Sequence, residues 1–106
     1  MTSRFVIVWE FRVRSDELAA FTRTYGPGGA WAQLFGKAAG YAGTELLQDE
    51  WDKLRFVTVD RWNSAAAYED FQWHHQNEYE ALDRTCQGWL EFERRIGVFG
   101  VTTTKT

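Results

Sequence analysis

A strand that runs directly into a helix constrains the fold of this chain more than any other feature. The stretch from Phe56 to Trp62 is rich in aromatic and β-branched residues, which are typical of a strand. Asn63 or Ser64 can then cap a helix by accepting a hydrogen bond from a free backbone N–H of its first turn. The helical pattern that follows carries aromatic residues and two adjacent histidines. This junction suits either the wall of a pocket for an aromatic ligand or a plain hydrophobic core.

The rest of the chain alternates between strand and helix patterns. Gly26 to Gly29 separates two helical segments, because Pro27 removes a backbone donor and the glycines free the backbone. The predicted elements are a strand at 5–14, a helix at 16–25 capped by Ser15, a helix at 30–39, strands at 41–48 and 54–62, a helical region from 64 to about 89 with a break near 76–77 or 88, and a strand at 90–101. This β-α-β-β-α-β order predicts a single α+β, ferredoxin-like domain over residues 1–106, with helices covering one face of an antiparallel sheet.

Composition and charge argue against several classes of partner. The net charge is −3 and no block of Lys or Arg occurs, so we expect no nucleic acid partner. The apolar run from Phe5 to Phe11 is far shorter than the roughly 20 residues that span a bilayer, and it lacks a signal-peptide cleavage site. We therefore expect no membrane partner and a soluble cytoplasmic protein. The single cysteine, Cys86, excludes an intrachain disulfide and a metal site built from several cysteines.

The aromatic content is high for a domain of this size. Aromatic residues make up 17% of the chain and include six tryptophans, and each buries a large area. The sheet face away from the helices is also half apolar, with Val6 and Val8 on it. These features predict a homodimer in which two sheets pack face to face as a dimeric α/β barrel, or a cavity lined by rings.

The last helical region carries one apolar stripe at helical spacing. Its members are Tyr68, Phe71, His75, Tyr79, Leu82, Cys86 and Trp89. His75 is therefore predicted to point inward, with His74 nearer the rim. An inward imidazole can act as a general base or as a metal or haem ligand, whereas the alternative is a buried histidine bonded to a tyrosine hydroxyl or a carbonyl. Neighbouring helical side chains diverge by about 100°, so no metal site is predicted from the pair.

Aromatic side chains from several elements are predicted to converge between the sheet and the helices. They are Trp62, Trp31, Tyr25, Phe35 and Tyr68. A flat apolar cavity with a few polar groups is the usual small-molecule site, but a filled core is equally compatible with this pattern. Asp60 shares a strand face with Trp62 and could orient His75 or accept a substrate hydroxyl, although a salt-bridged or surface carboxylate is the favoured interpretation.

The chain resembles a known family over Phe5 to Phe99. The element order, the strand end Val59-Asp60-Arg61-Trp62-Asn63-Ser64 and the alanine-rich, aromatic helix after it are similar to the antibiotic biosynthesis monooxygenase domain, of the dimeric α/β barrel superfamily. The resemblance implies a homodimer with a pocket in each subunit between sheet and helices. Some members oxidise anthrones or quinols with molecular oxygen and no metal or flavin, and others degrade haem. The haem-degrading members have a histidine ten residues after the strand-end tryptophan, where this chain has Gln72, and an asparagine on the first strand, which this chain lacks.

Three functional hypotheses follow, and the residues alone do not decide whether the chain is an enzyme. The first is a cofactor-independent monooxygenase acting on a quinol-like or anthrone-like substrate, with His75 as base and Trp62, matching the family tryptophan, as a stacking wall. Its candidate substrate-binding residues are Tyr68, Phe71, His74, Trp31, Tyr25, Phe35 and Asp60. The second is a dimer that binds a small aromatic molecule without turnover. The third is a haem-binding or haem-degrading protein that uses one of the histidines.

Overall fold

Strands and helices alternate along residues 4–102, which the computed structural model describes. The strands are β1 (Phe5–Val13), β2 (Tyr41–Gln48), β3 (Arg55–Trp62) and β4 (Leu90–Gly100), and the helices are α1 (Leu18–Tyr25), α2 (Ala30–Phe35), α3 (Ala65–His74) and α4 (Gln76–Gln87). Since α1 with α2 and α3 with α4 each form one interrupted helical unit, the predicted β-α-β-β-α-β order is confirmed. None of the helices within these residues is long and apolar enough to cross a membrane.

The four strands form one antiparallel sheet in the order β2-β3-β1-β4. On the two central strands Phe5 lies opposite Trp62, and Ile7 lies opposite Asp60. Residues that lie directly opposite each other share a face of the sheet, so these side chains all point towards the helices. The ferredoxin-like α+β fold predicted from the sequence is therefore confirmed.

The core between sheet and helices is built largely from aromatic rings. Trp62 has its ring centroid 5.6 Å from that of Phe35, 5.2 Å from Tyr68 and 5.5 Å from Phe71. Edge-to-face and tilted pairs at these distances each contribute about 0.5–1.5 kcal/mol beyond their buried area. The predicted convergence of aromatic residues is thus confirmed, and much of the aromatic content serves to fill this core.

The two predicted helix caps have different outcomes. The Ser64 hydroxyl accepts a hydrogen bond from the Ala67 N–H at 3.1 Å, as predicted for the N-terminus of α3. The predicted Ser15 cap is wrong, because Ser15 to Glu17 forms a 3₁₀ turn and no side chain caps α1. The Glu17 N–H bonds to the Arg14 carbonyl at 2.9 Å instead, which closes the turn locally.

The glycine-rich segment folds α2 back against the end of α1. A Cβ atom at Gly29 would lie 2.3 Å from the Thr24 carbonyl oxygen and 2.4 Å from that of Arg23, so only glycine fits there. This close approach brings the ring of Trp31 to 6.0 Å from that of Tyr25. The segment therefore positions the indole of Trp31 beside Tyr25.

Candidate functional site

A cavity of about 130 Å³ lies between the sheet and helices α1, α2 and α4. Rings form most of its wall, and polar side chains project from the sheet and from α4. The lining consists of Trp9, Phe11, Tyr25, Trp31, Phe35, Thr44, Thr58, Asp60, Tyr79, Asp83 and Glu93. An engineered apolar cavity of about 150 Å³ in another protein binds benzene. The volume of the cavity therefore matches a single aromatic ring.

Asp60 is the buried acid of this cavity. Strand alternation turns it to the helix side, between Ile7 on β1 and Thr44 on β2, and only 7% of the residue is exposed. The Thr44 hydroxyl donates to Asp60 Oδ1 at 2.7 Å, and the Tyr41 hydroxyl lies 2.5 Å from Thr44 Oγ1. Because the Thr44 proton points to Asp60, Tyr41 is the donor to Thr44. No residue within 4–102 donates to Asp60 Oδ2, which leaves that oxygen for a ligand.

Burial gives Asp60 an unusual affinity for protons. It raises the pKa of the carboxyl group from 3.8 to about 6, while the hydrogen bond from Thr44 lowers the pKa and offsets part of this rise. A carboxylate of this basicity exchanges protons near neutral pH, as a general base must. A titratable group shifted by burial inside an aromatic cavity is a candidate functional residue on physical grounds.

Thr44→Val is expected to raise the pKa of Asp60 further. The substitution removes the hydrogen bond that stabilises the carboxylate, and such bonds to charged groups contribute about 1.5–3 kcal/mol, or about one to two pH units. Carbon-detected NMR titration of the Asp60 carboxyl measures this pKa directly. Thr85→Val is the matched control, since the Thr85 hydroxyl bonds only to the Ala81 carbonyl on its own helix. A pKa that stays near 6 in Thr44→Val would contradict the assigned hydrogen bond.

Three of the lining residues also carry hydrogen-bond donors, namely Tyr25, Trp31 and Tyr79. Burial raises the pKa of the Tyr25 hydroxyl and of the Tyr79 hydroxyl, so both stay protonated at neutral pH. Trp31 is only 8% exposed, and its indole N–H has no hydrogen-bond partner among the described residues, although Tyr25 and Cys86 lie nearby. A buried donor without a partner costs free energy.

The cavity is lined by acids and contains no basic side chain. Asp83 and Glu93 join Asp60 in the lining, with neither Lys, Arg nor His among the lining residues. The Gln87 amide donates to Asp83 Oδ1 at 3.0 Å and to Glu93 Oε1 at 2.8 Å, which ties α4 to β4. Within residues 4–102 no three His, Cys, Asp or Glu side chains gather closely enough to hold a metal ion. The three carboxylates are therefore spread along the cavity.

The structure brings some of the predicted site residues together and separates others. Those that line the cavity are Asp60, Tyr25, Trp31 and Phe35, and those that pack in the core beside it are Trp62, Tyr68 and Phe71. The favoured interpretation of Asp60 as a salt-bridged or surface carboxylate is wrong, because α2 and α4 cover the face of β3 that carries it. Trp62 is enclosed by other rings and lies behind the cavity.

The histidines lie away from the cavity. The His75 side chain is 22% exposed, its ring stacks on Phe71 at 5.3 Å, and Nδ1 lies 2.8 Å from Glu78 Oε1. His74 Nδ1 lies 2.8 Å from the Asp70 carbonyl oxygen. The helix breaks at His75, whose backbone is non-helical. The helical spacing of the predicted apolar stripe therefore does not place the His75 side chain against the sheet. Catalytic roles for these histidines stay predictions, and neither histidine lines the cavity that contains Asp60.

Several lining residues were not predicted from the sequence. Thr58 lies two residues before Asp60 on the same strand face, and Thr44 lies opposite Asp60 in the β2–β3 hairpin. Strand alternation could therefore have predicted both residues. Tyr79 belonged to the predicted stripe. Asp83 and Glu93 carried no such signal, because only the packing of α4 against β4 brings them together.

Comparisons with known proteins agree with this architecture. The sequence profile of one family, described as Antibiotic biosynthesis monooxygenase, matches residues 4–82. Among solved structures, a candidate antibiotic biosynthesis monooxygenase from Nitrosomonas europaea has a TM-score of 0.73 at 16% identity, covering 100% of this chain and 97% of the other. SnoaB, a cofactor-independent oxygenase from Streptomyces nogalater, has a TM-score of 0.72 at 18% identity, covering 97% of each chain.

A third structure, a candidate monooxygenase from Shewanella loihica PV-4, has a TM-score of 0.69 at 23% identity and covers 98% of this chain and 99% of its own. At such identities the structural likeness establishes the fold alone. Among curated proteins, none matches the sequence.

Proposed function

Because the chain belongs to the antibiotic biosynthesis monooxygenase family, we propose that it is a cofactor-independent monooxygenase that oxidises a small phenolic substrate in the cavity. The observation that carries this proposal is Asp60, a buried carboxylate with a pKa near 6 that lies in an aromatic cavity with one oxygen unbonded. A phenol bound there has its acidic proton beside a base. The cofactor-independent oxygenase SnoaB, which shares the fold, supports the same class of reaction.

The chemistry requires only the substrate and molecular oxygen. Asp60 Oδ2 accepts the phenolic proton, and the electron-rich phenolate then passes an electron to oxygen. Oxidation of a phenol to a quinone consumes one O₂, of which one atom enters the ring carbonyl and the other leaves as water. No external reductant is needed. The ring-lined walls place apolar surface around the substrate ring.

The size of the cavity distinguishes the candidate substrates. A volume of about 130 Å³ suits one ring, so it supports a quinol-like substrate over a fused three-ring anthrone. Haem is larger still, and the two histidines lie on a surface groove with Lys37 rather than in the cavity. These observations leave the haem hypothesis without structural support among the described residues.

Oxygen consumption with a panel of substituted hydroquinones and phenols tests the proposed function. We expect oxygen uptake that depends on the protein, and one labelled atom in the product when the reaction is run under ¹⁸O₂. A phenol should carry the label in the new carbonyl group of its quinone, and a hydroquinone should carry it in the new hydroxyl group of a hydroxyquinone. Thermal stabilisation by the same compounds without oxygen uptake would overturn the monooxygenase and favour the non-catalytic binding protein. Added chelator is the control, because the proposed reaction is insensitive to it.

We also propose that the protein is a homodimer joined through the open face of the sheet. Leu47 and Val57 lie opposite each other on that face, as do Val6 and Phe99, and these side chains are half-buried or exposed. Glu10 is the buried charge at its centre, and it is held by Arg55 at 2.6 Å and by Arg94 at 2.7 Å. Arg61 and Glu45, which also lie on this face, pair with each other at 2.7 Å. An apolar face with its central charge already paired can be buried at modest cost in desolvation.

Val8→Glu is expected to convert the dimer to a monomer. Val8 lies at the centre of the open face, opposite Val59 on β3, and a carboxylate buried there without a partner costs several kcal/mol. Sedimentation velocity across a concentration series measures the change. Ala66→Glu, on the exposed side of α3, adds the same charge and should leave the dimer intact. A monomeric wild-type protein, or a dimeric Val8→Glu variant, would rule out this interface.

A further inference from the structure

We propose that the natural substrate is a single-ring phenol that carries an ammonium group on a short arm. This inference rests on the proposed function for the phenol end and adds the chemistry of the other end. Its basis is the charge pattern of the cavity, in which three carboxylates and no basic side chain meet six aromatic rings. Such a lining favours cations over neutral molecules and repels anions.

The carboxylates lie at different ends of the cavity. On the central strand β1, Ile7 lies opposite Asp60 and Phe11 lies opposite Glu93. Four residues along a strand span about 13 Å, and Asp60 and Glu93 are also two strand spacings apart, or about 10 Å. The side chains close part of this distance, but the absence of a metal-like cluster within 4–102 agrees with their separation. A ligand with two polar ends can reach both.

The end of the cavity near α4 and β4 carries two carboxylates, and Arg95 lies on the same face of β4, opposite Trp9. Asp83 and Glu93 are half-buried, and neither forms an ion pair with another described residue. The Gln87 amide occupies one oxygen of each, which leaves Asp83 Oδ2 and Glu93 Oε2 without a donor among residues 4–102. Burial and then neighbouring charges, including those of Asp83 and Glu93, raise the pKa of the Tyr79 hydroxyl between them. An ammonium group would supply the missing positive charge and the missing donors.

The ring walls reinforce the preference for a cation. Trp9, Trp31 and Tyr79 all line the cavity, and the rings of Trp31 and Tyr79 lie 5.0 Å apart at an angle of 66°. Aromatic faces attract ammonium groups, and the attraction is stronger away from water.

Isothermal titration calorimetry with three matched phenols tests the inference. Tyramine carries an ammonium group, 4-ethylphenol is neutral, and 3-(4-hydroxyphenyl)propionate carries a carboxylate on an arm of similar length. We expect tyramine to bind at least tenfold more tightly than 4-ethylphenol, and the propionate to bind most weakly. Raising the salt concentration should narrow the difference, since part of it is electrostatic.

The double variant Asp83→Asn/Glu93→Gln should remove the tyramine preference and leave the affinity for 4-ethylphenol within threefold of wild type. Glu69→Gln/Asp70→Asn on the exposed side of α3 is the control with the same change in charge. Equal binding of tyramine and 4-ethylphenol to the wild-type protein, tighter binding of the propionate, or no binding of any of the three would overturn the inference, whether or not the variants fold.

The inference and the proposed function fail separately. Selective binding of tyramine without oxygen uptake from any phenol would refute the proposed monooxygenase activity and support the cation-selective site. Oxygen uptake from neutral quinols, with tyramine binding no more tightly than 4-ethylphenol, would support the monooxygenase activity and refute the cation-selective site.

Discussion

Asp60→Asn is expected to reduce the rate of oxygen uptake by about 10²–10⁴-fold, the range typical of general acid–base catalysis. The amide keeps the size of the carboxylate but cannot accept a proton from the substrate. The Thr44 hydroxyl can still donate to the amide oxygen, so the cavity should keep its shape. Affinity for a phenol should therefore change far less than the rate, and steady-state oxygen electrode measurements with calorimetry separate the two.

Two comparisons make the Asp60 result specific. Asp70→Asn removes an exposed carboxylate from α3 and should leave the rate unchanged, because Asp70 does not line the cavity. His75→Gln tests the other base suggested by the sequence. A large loss of rate in His75→Gln together with a small loss in Asp60→Asn would return the base to the histidine and refute the assignment to Asp60.

Asp60→Asn should also stabilise the fold at high pH. Because burial raises the pKa of Asp60 from 3.8 to about 6, the folded protein holds this proton more tightly than the unfolded chain does. The stabilising contribution is fully present below about pH 4 and is lost as the pH rises to about 6. At pH 8 the buried charge is a cost that asparagine lacks, so Asp60→Asn should raise the free energy of unfolding by about 1–3 kcal/mol. Urea unfolding at pH 4 and pH 8 measures the difference.

Local pattern predicted the elements and several of their junctions. Ser64 follows a strand and precedes a helix, so its capping role could be assigned from neighbouring residues alone. The break near residue 76 was also visible locally. Ser15 had the same chemistry as Ser64, but the chain closes a 3₁₀ turn there, and that choice depends on how β1 meets α1.

The site was less predictable, because it depends on how deeply each side chain is buried and on which face each helix turns towards the sheet. Alternation placed Asp60 on the face of Trp62, but its burial is set by α2 and α4, which pack over the sheet from elsewhere in the chain. The expected position of His75 applied one helical spacing on both sides of the predicted break, and the break falls at His75 itself, where that spacing does not hold. Sequence periodicity therefore identified the correct face of β3 but did not place His75 at the cavity.

Trp62→Ala is expected to lower the free energy of unfolding by about 3–5 kcal/mol, the usual range for removing a large aromatic side chain from a core. Trp62 is 1% exposed and touches rings from α2, β2 and α3, which cannot all collapse into the space left behind. Urea unfolding measures the loss. Trp73→Ala is the matched control, because Trp73 is 81% exposed and its removal should cost less than about 0.5 kcal/mol.

Trp62→Phe separates a core role for this tryptophan from a catalytic one. The buried indole N–H of Trp62 has no partner among residues 4–102, so phenylalanine removes an unsatisfied donor at the same time as it removes volume. The stability loss should therefore be smaller than in Trp62→Ala, and the rate of oxygen uptake should stay within a few-fold of wild type. A variant that folds with near-native stability but loses most of its activity would show that Trp62 reaches the substrate, and the cavity would then have to extend past Phe35 to the strand end.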